Sequence, residues 1–142
     1  MIRRLIAGGV LMAACVAIHA SGLAAALKRL RRAPASPPGF QASTLLFIVV
    51  AAWIVLLHLV EIALWAALYA WRGAMVDLQS ALYFSAVTYT TTGYGDLVLP
   101  AGWRLVGGIE ALTGILMCGW STGFFFAIVN RLYQQKTGTT QA

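Results

Sequence analysis

Charge is scarce in this chain. Only 10% of its 142 residues are charged, and just four are acidic, while 61% are hydrophobic and the mean hydropathy is +0.81. Soluble globular domains carry about 25% charged residues, so there are too few here to wet a surface, and the composition predicts a membrane protein. Cysteine is nearly absent: Cys15 and Cys118 each lie inside an apolar run, which excludes a disulfide framework, and no sequential metal-ligand spacing is present. No segment repeats arginine at every third position, so the voltage-sensor pattern is missing. There is no glycine-rich phosphate loop and no nucleophile–base set, which argues against a pump or an enzyme. The formal charge of +6 comes from basic residues that flank apolar runs. They do not alternate with aromatics along a groove, so membrane topology explains them and nucleic acid does not.

What is present is three long apolar runs. Residues 5–27 would reach about 34 Å as a helix at 1.5 Å per residue, enough to cross the hydrocarbon core. Gly9, Ala13 and Ala17, four apart, are expected to form a smooth packing ridge. Arg3-Arg4 before an apolar run also fits a secretion signal, but a retained helix over 1–27 is the reading adopted. Residues 28–43 hold Lys28, Arg29, Arg31, Arg32 and three prolines, predicting a basic cytoplasmic linker. A second span is expected over 44–71, with Trp65, Tyr69 and Trp71 as interfacial aromatics, and a third over 105–132 before a polar tail, 133–142.

Between the last two spans lies Thr90-Thr91-Thr92-Gly93-Tyr94-Gly95-Asp96, preceded by an amphipathic stretch over 78–90 with Asp77 as its expected N-cap. Stripping water from a cation takes closely spaced oxygens facing one axis. Main-chain carbonyls supply them when successive residues alternate in hand, and glycine visits the left-handed state at little cost. Gly93 and Gly95 stand at alternate positions, and the Thr91 hydroxyl can add a further ring of oxygens.

The run Thr91-Thr92-Gly93-Tyr94-Gly95-Asp96, after a helix-length segment and before an apolar span, resembles the selectivity filter of pore-loop potassium channels. The resemblance extends over about 45–131. It implies an all-α membrane protein with three transmembrane helices, a re-entrant pore helix (78–90) and a filter loop (91–96), within a pore domain over 44–132. It also implies a homotetramer of four pore loops set among membrane lipids, because one strand cannot surround an ion. No cofactor is implied beyond the permeant potassium, coordinated by carbonyls of Thr91, Thr92, Gly93, Tyr94 and Gly95 and by the Thr91 hydroxyl.

The resemblance assigns further roles. Thr92 stands where the family usually has valine, which leaves a hydroxyl in need of a partner. Tyr94 is expected to turn into the pore helix towards Thr88. Tyr83 and Phe84 replace a common tryptophan pair, with Tyr83 in reach of Asp96. Val87 occupies a position where some bacterial members brace that aspartate with a glutamate. Gly114 matches an inner-helix hinge, and Ile115, Cys118, Thr122 and Phe126 match a cavity-lining stripe with Phe126 as gate; Gly107 and Gly108 are read as packing positions.

Glu61 and Glu110 are acids at membrane depth, expected at similar depth behind the pore helix. They read as braces to hydroxyls such as Ser85 or Tyr89 rather than as proton sensors. His58 and Glu61, three apart, lack a third ligand in the sequence, and His19 reads as a helix-packing hydrogen bond. With the filter opening outward, six basic residues fall inside and four outside, which places the N-terminus outside and the C-terminus in the cytoplasm; small size and simplicity alone point to a bacterial inner membrane. Ten residues follow Leu132, so the gating stimulus is expected from the pore, the bilayer, pH or a separate regulatory subunit. A weakly selective cation channel and a non-conducting accessory or scaffold subunit are the alternatives.

Overall fold

The computed structural model describes residues 1–32 and 39–138. Pro34, Pro37, Pro38 and the end of the polar tail lie outside the described residues. Those described form an all-α chain: α1 Ile2–Arg31, α2 Phe40–Trp71, α3 Leu78–Tyr89, a 3-10 turn Ala101–Trp103, and α4 Arg104–Gly138. Helix α1 continues through the basic cluster to Arg31, α2 starts at Phe40, and α4 runs on past 132. Lys28, Arg29 and Arg31 therefore sit on the last turn of α1, where cations complement the exposed carbonyls of a helix C-terminus.

Helices α1, α2 and α4 are each long and apolar enough to cross a membrane, and no more than 28% of any of these spans is buried within the chain. Most of their surface faces outward, as expected where lipid or further copies supply the surroundings. The chain is a multi-pass membrane protein. In lipid the hydrophobic effect does not draw helices together, so close packing and buried hydrogen bonds must do so.

Contacts fix the helix directions. Gly8 abuts Val106 and Ile109 while His19 reaches Ser121, so α1 and α4 run parallel. His19 meets Glu61 and Gly22 meets Leu57, so α1 and α2 are antiparallel. Arg4 stacks over Trp103, which brings the start of α1 to the same end as the loop before α4. The packed stripe on α1 is Gly8, Cys15, His19 and Gly22. The ridge expected from Gly9, Ala13 and Ala17 is not packed within the chain: Ala13 and Ala17 are exposed and Gly9 has open space beyond its Cα.

Two apolar clusters divide the bundle. One, around Trp65, Tyr69, Ala81, Trp103, Val106 and Met117, lies at the end where α3 enters. The other, Leu23, Val50, Ile54, Leu57 and Ile128, lies at the opposite end. Polar residues of all four helices meet in the seam between them.

Candidate functional site

Helix α3 starts where its sequence says it should. Asp77 accepts from the Ser80 amide and the Ser80 hydroxyl, both at 2.8 Å, satisfying one of the free donors of the first turn. Those two bonds, the amide first, hold its carboxyl below the usual carboxylate range. Twelve residues span only about 18 Å, too short to cross a bilayer core of about 30 Å. The chain turns at Thr90 and comes back to Trp103, which packs edge-on to Tyr69 at the end where α3 began.

Three alternate residues of the turning loop are left-handed: Thr91 (φ 58°), Gly93 (φ 57°) and Gly95 (φ 77°). The glycines adopt this without steric cost, whereas Thr91 is β-branched and does so against its preference. Backbone bonds pin it there: the Thr91 amide donates to the Thr88 carbonyl at 2.9 Å and the Gly93 amide to the Val87 carbonyl at 3.2 Å. Val87 and Thr88 thus hold the loop through their main chains. The Thr92 hydroxyl finds its partner in Thr90, at 2.9 Å, and Thr90 in turn donates to the Ala86 carbonyl at 2.7 Å. The rest of the strand, residues 91–96, is exposed along one side of the single chain.

Tyr83 donates to Asp96 at 2.7 Å, tying the far end of the loop back to α3. That bond holds the Asp96 carboxyl below its ordinary range. Phe84 faces the other way, half-buried and edge-on to Tyr69 at 5.5 Å. The expected turn of Tyr94 into the pore helix towards Thr88 is not seen within one chain; its ring is 72% exposed.

Behind α3 the buried acids occupy two levels, and the expected common depth does not hold. Glu110 takes a 2.8 Å bond from Tyr69, while its other oxygen and the nearby Ser85 hydroxyl stay unbonded. Glu61 lies eight residues before Tyr69 on α2, roughly 12 Å deeper. It is hydrogen-bonded by the Tyr89 hydroxyl and meets His19 Nδ1 at 2.9 Å. His19 Nε2 lies 2.9 Å from Ser121 Oγ, that oxygen is 3.1 Å from His58 Nε2, and His58 Nδ1 is 3.0 Å from Tyr89 Oη. Five side chains from four helices close a ring of hydrogen bonds.

Tyr89 donates to Glu61, and the imidazole nitrogens and the Ser121 hydroxyl complete the remaining edges as donors or acceptors. Such a chain of bonds reinforces itself in a dry interior. Sequence reasoning treated His19 as solitary and missed Ser121. The available signal was the register of His19 with Gly8, Cys15 and Gly22, spacings that set one helical face.

On α4, a Cβ at Gly114 would fall on the carbonyl oxygen of Tyr89, so this glycine lets the end of α3 touch the helix backbone. Helix α4 runs through it unbroken. Gly107 packs against Leu99 and Phe84, whereas Gly108 has no neighbour within the chain. Ile115, Cys118, Thr122 and Phe126 share the exposed face of α4.

Among curated proteins and solved structures, none matches the chain. Residues 43–131, from the start of α2 to near the end of α4, match the ion channel family. With two spans flanking a short helix and its returning loop over those same residues, the chain belongs to the ion channel family, of the two-transmembrane pore-loop type.

Proposed function

We propose that this chain is a passive potassium channel, four copies of which surround an axial pore. The observation that carries the reading is the alternation of hand at Thr91, Gly93 and Gly95 on the exposed side of a loop anchored to α3. Alternation turns successive carbonyls in one direction, the arrangement needed to replace a potassium hydration shell. Thr91, Thr92, Gly93, Tyr94 and Gly95 supply those oxygens, and α3 is the re-entrant pore helix. The membrane tolerates that irregular backbone because neighbouring copies and a water-filled path enclose it.

A tetramer also accounts for the exposed groups. Tyr94 gains a neighbour at the subunit contact, and the Ile115–Cys118–Thr122–Phe126 face of α4 lines the cavity below the filter. The filter mouth and the start of α1 lie outside the plasma membrane, and the ends of α1 and α4 lie inside with their basic residues. The test is reconstitution of the purified chain alone in liposomes. Barium-sensitive flux with bi-ionic reversal potentials favouring potassium over sodium is the expected result. Equal permeability would make it a weakly selective cation channel, and no flux at all would make it an accessory subunit.

A further inference from the structure

We propose that His19, His58 and Glu61 form a binding site for a divalent first-row transition metal of the zinc type, with Tyr89 as the fourth ligand. Their ligand atoms all lie within 4.8 Å of one another, and His19 and Glu61 are fully buried. The sequence supplies only the His58–Glu61 pair on α2; folding brings the third ligand from α1.

The spacing suits the ion. Four ligands at about 2.0–2.1 Å in a tetrahedron stand roughly 3.3 Å apart. Here the neighbouring separations are 2.9 Å for His19 Nδ1 to Glu61 Oε1, 3.0 Å for His58 Nδ1 to Tyr89 Oη, and 4.0 Å for His58 Nδ1 to Glu61 Oε2. The Tyr89 hydroxyl and Glu61 Oε2 sit closer than that edge and the His19, His58 and Glu61 ligand atoms spread to 4.8 Å, so side-chain shifts of about an ångström are needed to open the ring to bonding distance. Imidazole with carboxylate and phenol oxygen is a donor set for zinc, cobalt or nickel rather than for calcium or magnesium.

The outer shell is also in place. A metal-bound imidazole donates its distal N–H to a neighbour that fixes its tautomer. Both distal nitrogens, His19 Nε2 and His58 Nε2, point at the one Ser121 hydroxyl, whose oxygen accepts two bonds. Charge balances as well: the Glu61 carboxylate and a Tyr89 phenolate offset a divalent ion, leaving a neutral centre at a depth where net charge is costly. Metal entry releases the Tyr89 hydroxyl proton to solvent.

The test uses the full chain, free of any histidine tag, in lipid nanodiscs titrated with Co2+ and followed by its visible d–d bands. One Co2+ per chain in a four-coordinate nitrogen–oxygen environment, displaced by Zn2+, is the expected result. His19→Ala and His58→Ala should each abolish it, and Ser121→Ala should weaken it about 10–100-fold. His19→Gln, an uncharged polar replacement, covers the case in which the alanine variant does not fold, with helical content and assembly size as the controls. A Cys15→Ser/Cys118→Ser chain should bind as before. Absence of binding, bands that persist in both His19 variants, or loss in the cysteine variant would each overturn the site. None of these readouts depends on ion flux.

Discussion

Asp96 and Tyr83 show how one side chain ties the loop to its helix. A carboxylate whose ionised form accepts a hydroxyl bond keeps that bond above its ordinary pKa and loses it as pH falls through the lowered value. The Tyr83–Asp96 tie therefore persists at neutral pH and is lost on acidification below the ordinary 3.8. In the proposed channel, flux measured against pH should fall in that acidic range, and Tyr83→Phe, which lacks the tie at every pH, should show the lowered flux already at neutral pH with little further fall. A parent-like acid fall in Tyr83→Phe would mean that another group holds the loop. Gly114 works by absence. Gly114→Ala sets a methyl against the Tyr89 carbonyl, and because backbone is the obstacle, the cost should exceed the roughly 1–3 kcal/mol usual for overpacking. Loss of assembled protein on size-exclusion chromatography is the expected readout; a normally assembled variant would show that α3 and α4 can separate cheaply.

At the scale of elements, α3 depends on its cap and α4 on which face it leaves open. Asp77→Ala removes both bonds to Ser80 and should lower the thermal midpoint of the assembled protein, with Asp77→Asn close to the parent because its amide oxygen can still accept. Equal loss in both variants would trace the effect to charge rather than to the cap. Phe126 stands 64% exposed in the C-terminal half of α4. Four such rings facing an axis would close a pore by expelling water, so Phe126→Ala should raise basal potassium flux severalfold. Unchanged flux would place the gate elsewhere, with the filter the next location to test.

The whole molecule brings its weak points together. Phe84 cannot donate a hydrogen bond, and Val87 supplies only its backbone carbonyl, so Asp96 rests on Tyr83 as its one side-chain partner among the described residues. In the proposed channel, a loop held so lightly would rely on its ions for shape. Withdrawing external potassium should make conductance decay and recover slowly on its return; a steady conductance would show that neighbouring copies brace the loop sufficiently. The ring of His19, Glu61, Tyr89, His58 and Ser121 works at the same scale, since removing any one helix opens it.

Composition and periodicity settled the membrane class, the number of spans and the loop between the last two. These are local properties: twenty apolar residues or a glycine at alternate positions mean the same wherever they occur. Asp77 as cap was legible for the same reason, since a cap bonds three residues away. The left-handed Thr91 was not legible, because threonine disfavours that state and takes it here against its preference, with its amide and that of Gly93 held by carbonyls of the last turn of α3. Nor was the meeting of His19 with residues 42 and 102 positions away. Which face of α1 is packed depends on how helices cross, and that is decided by where small residues let backbones approach. The sequence by itself determined that this chain spans a membrane around a glycine-punctuated loop; only the tertiary structure decided which polar side chains are buried together behind it.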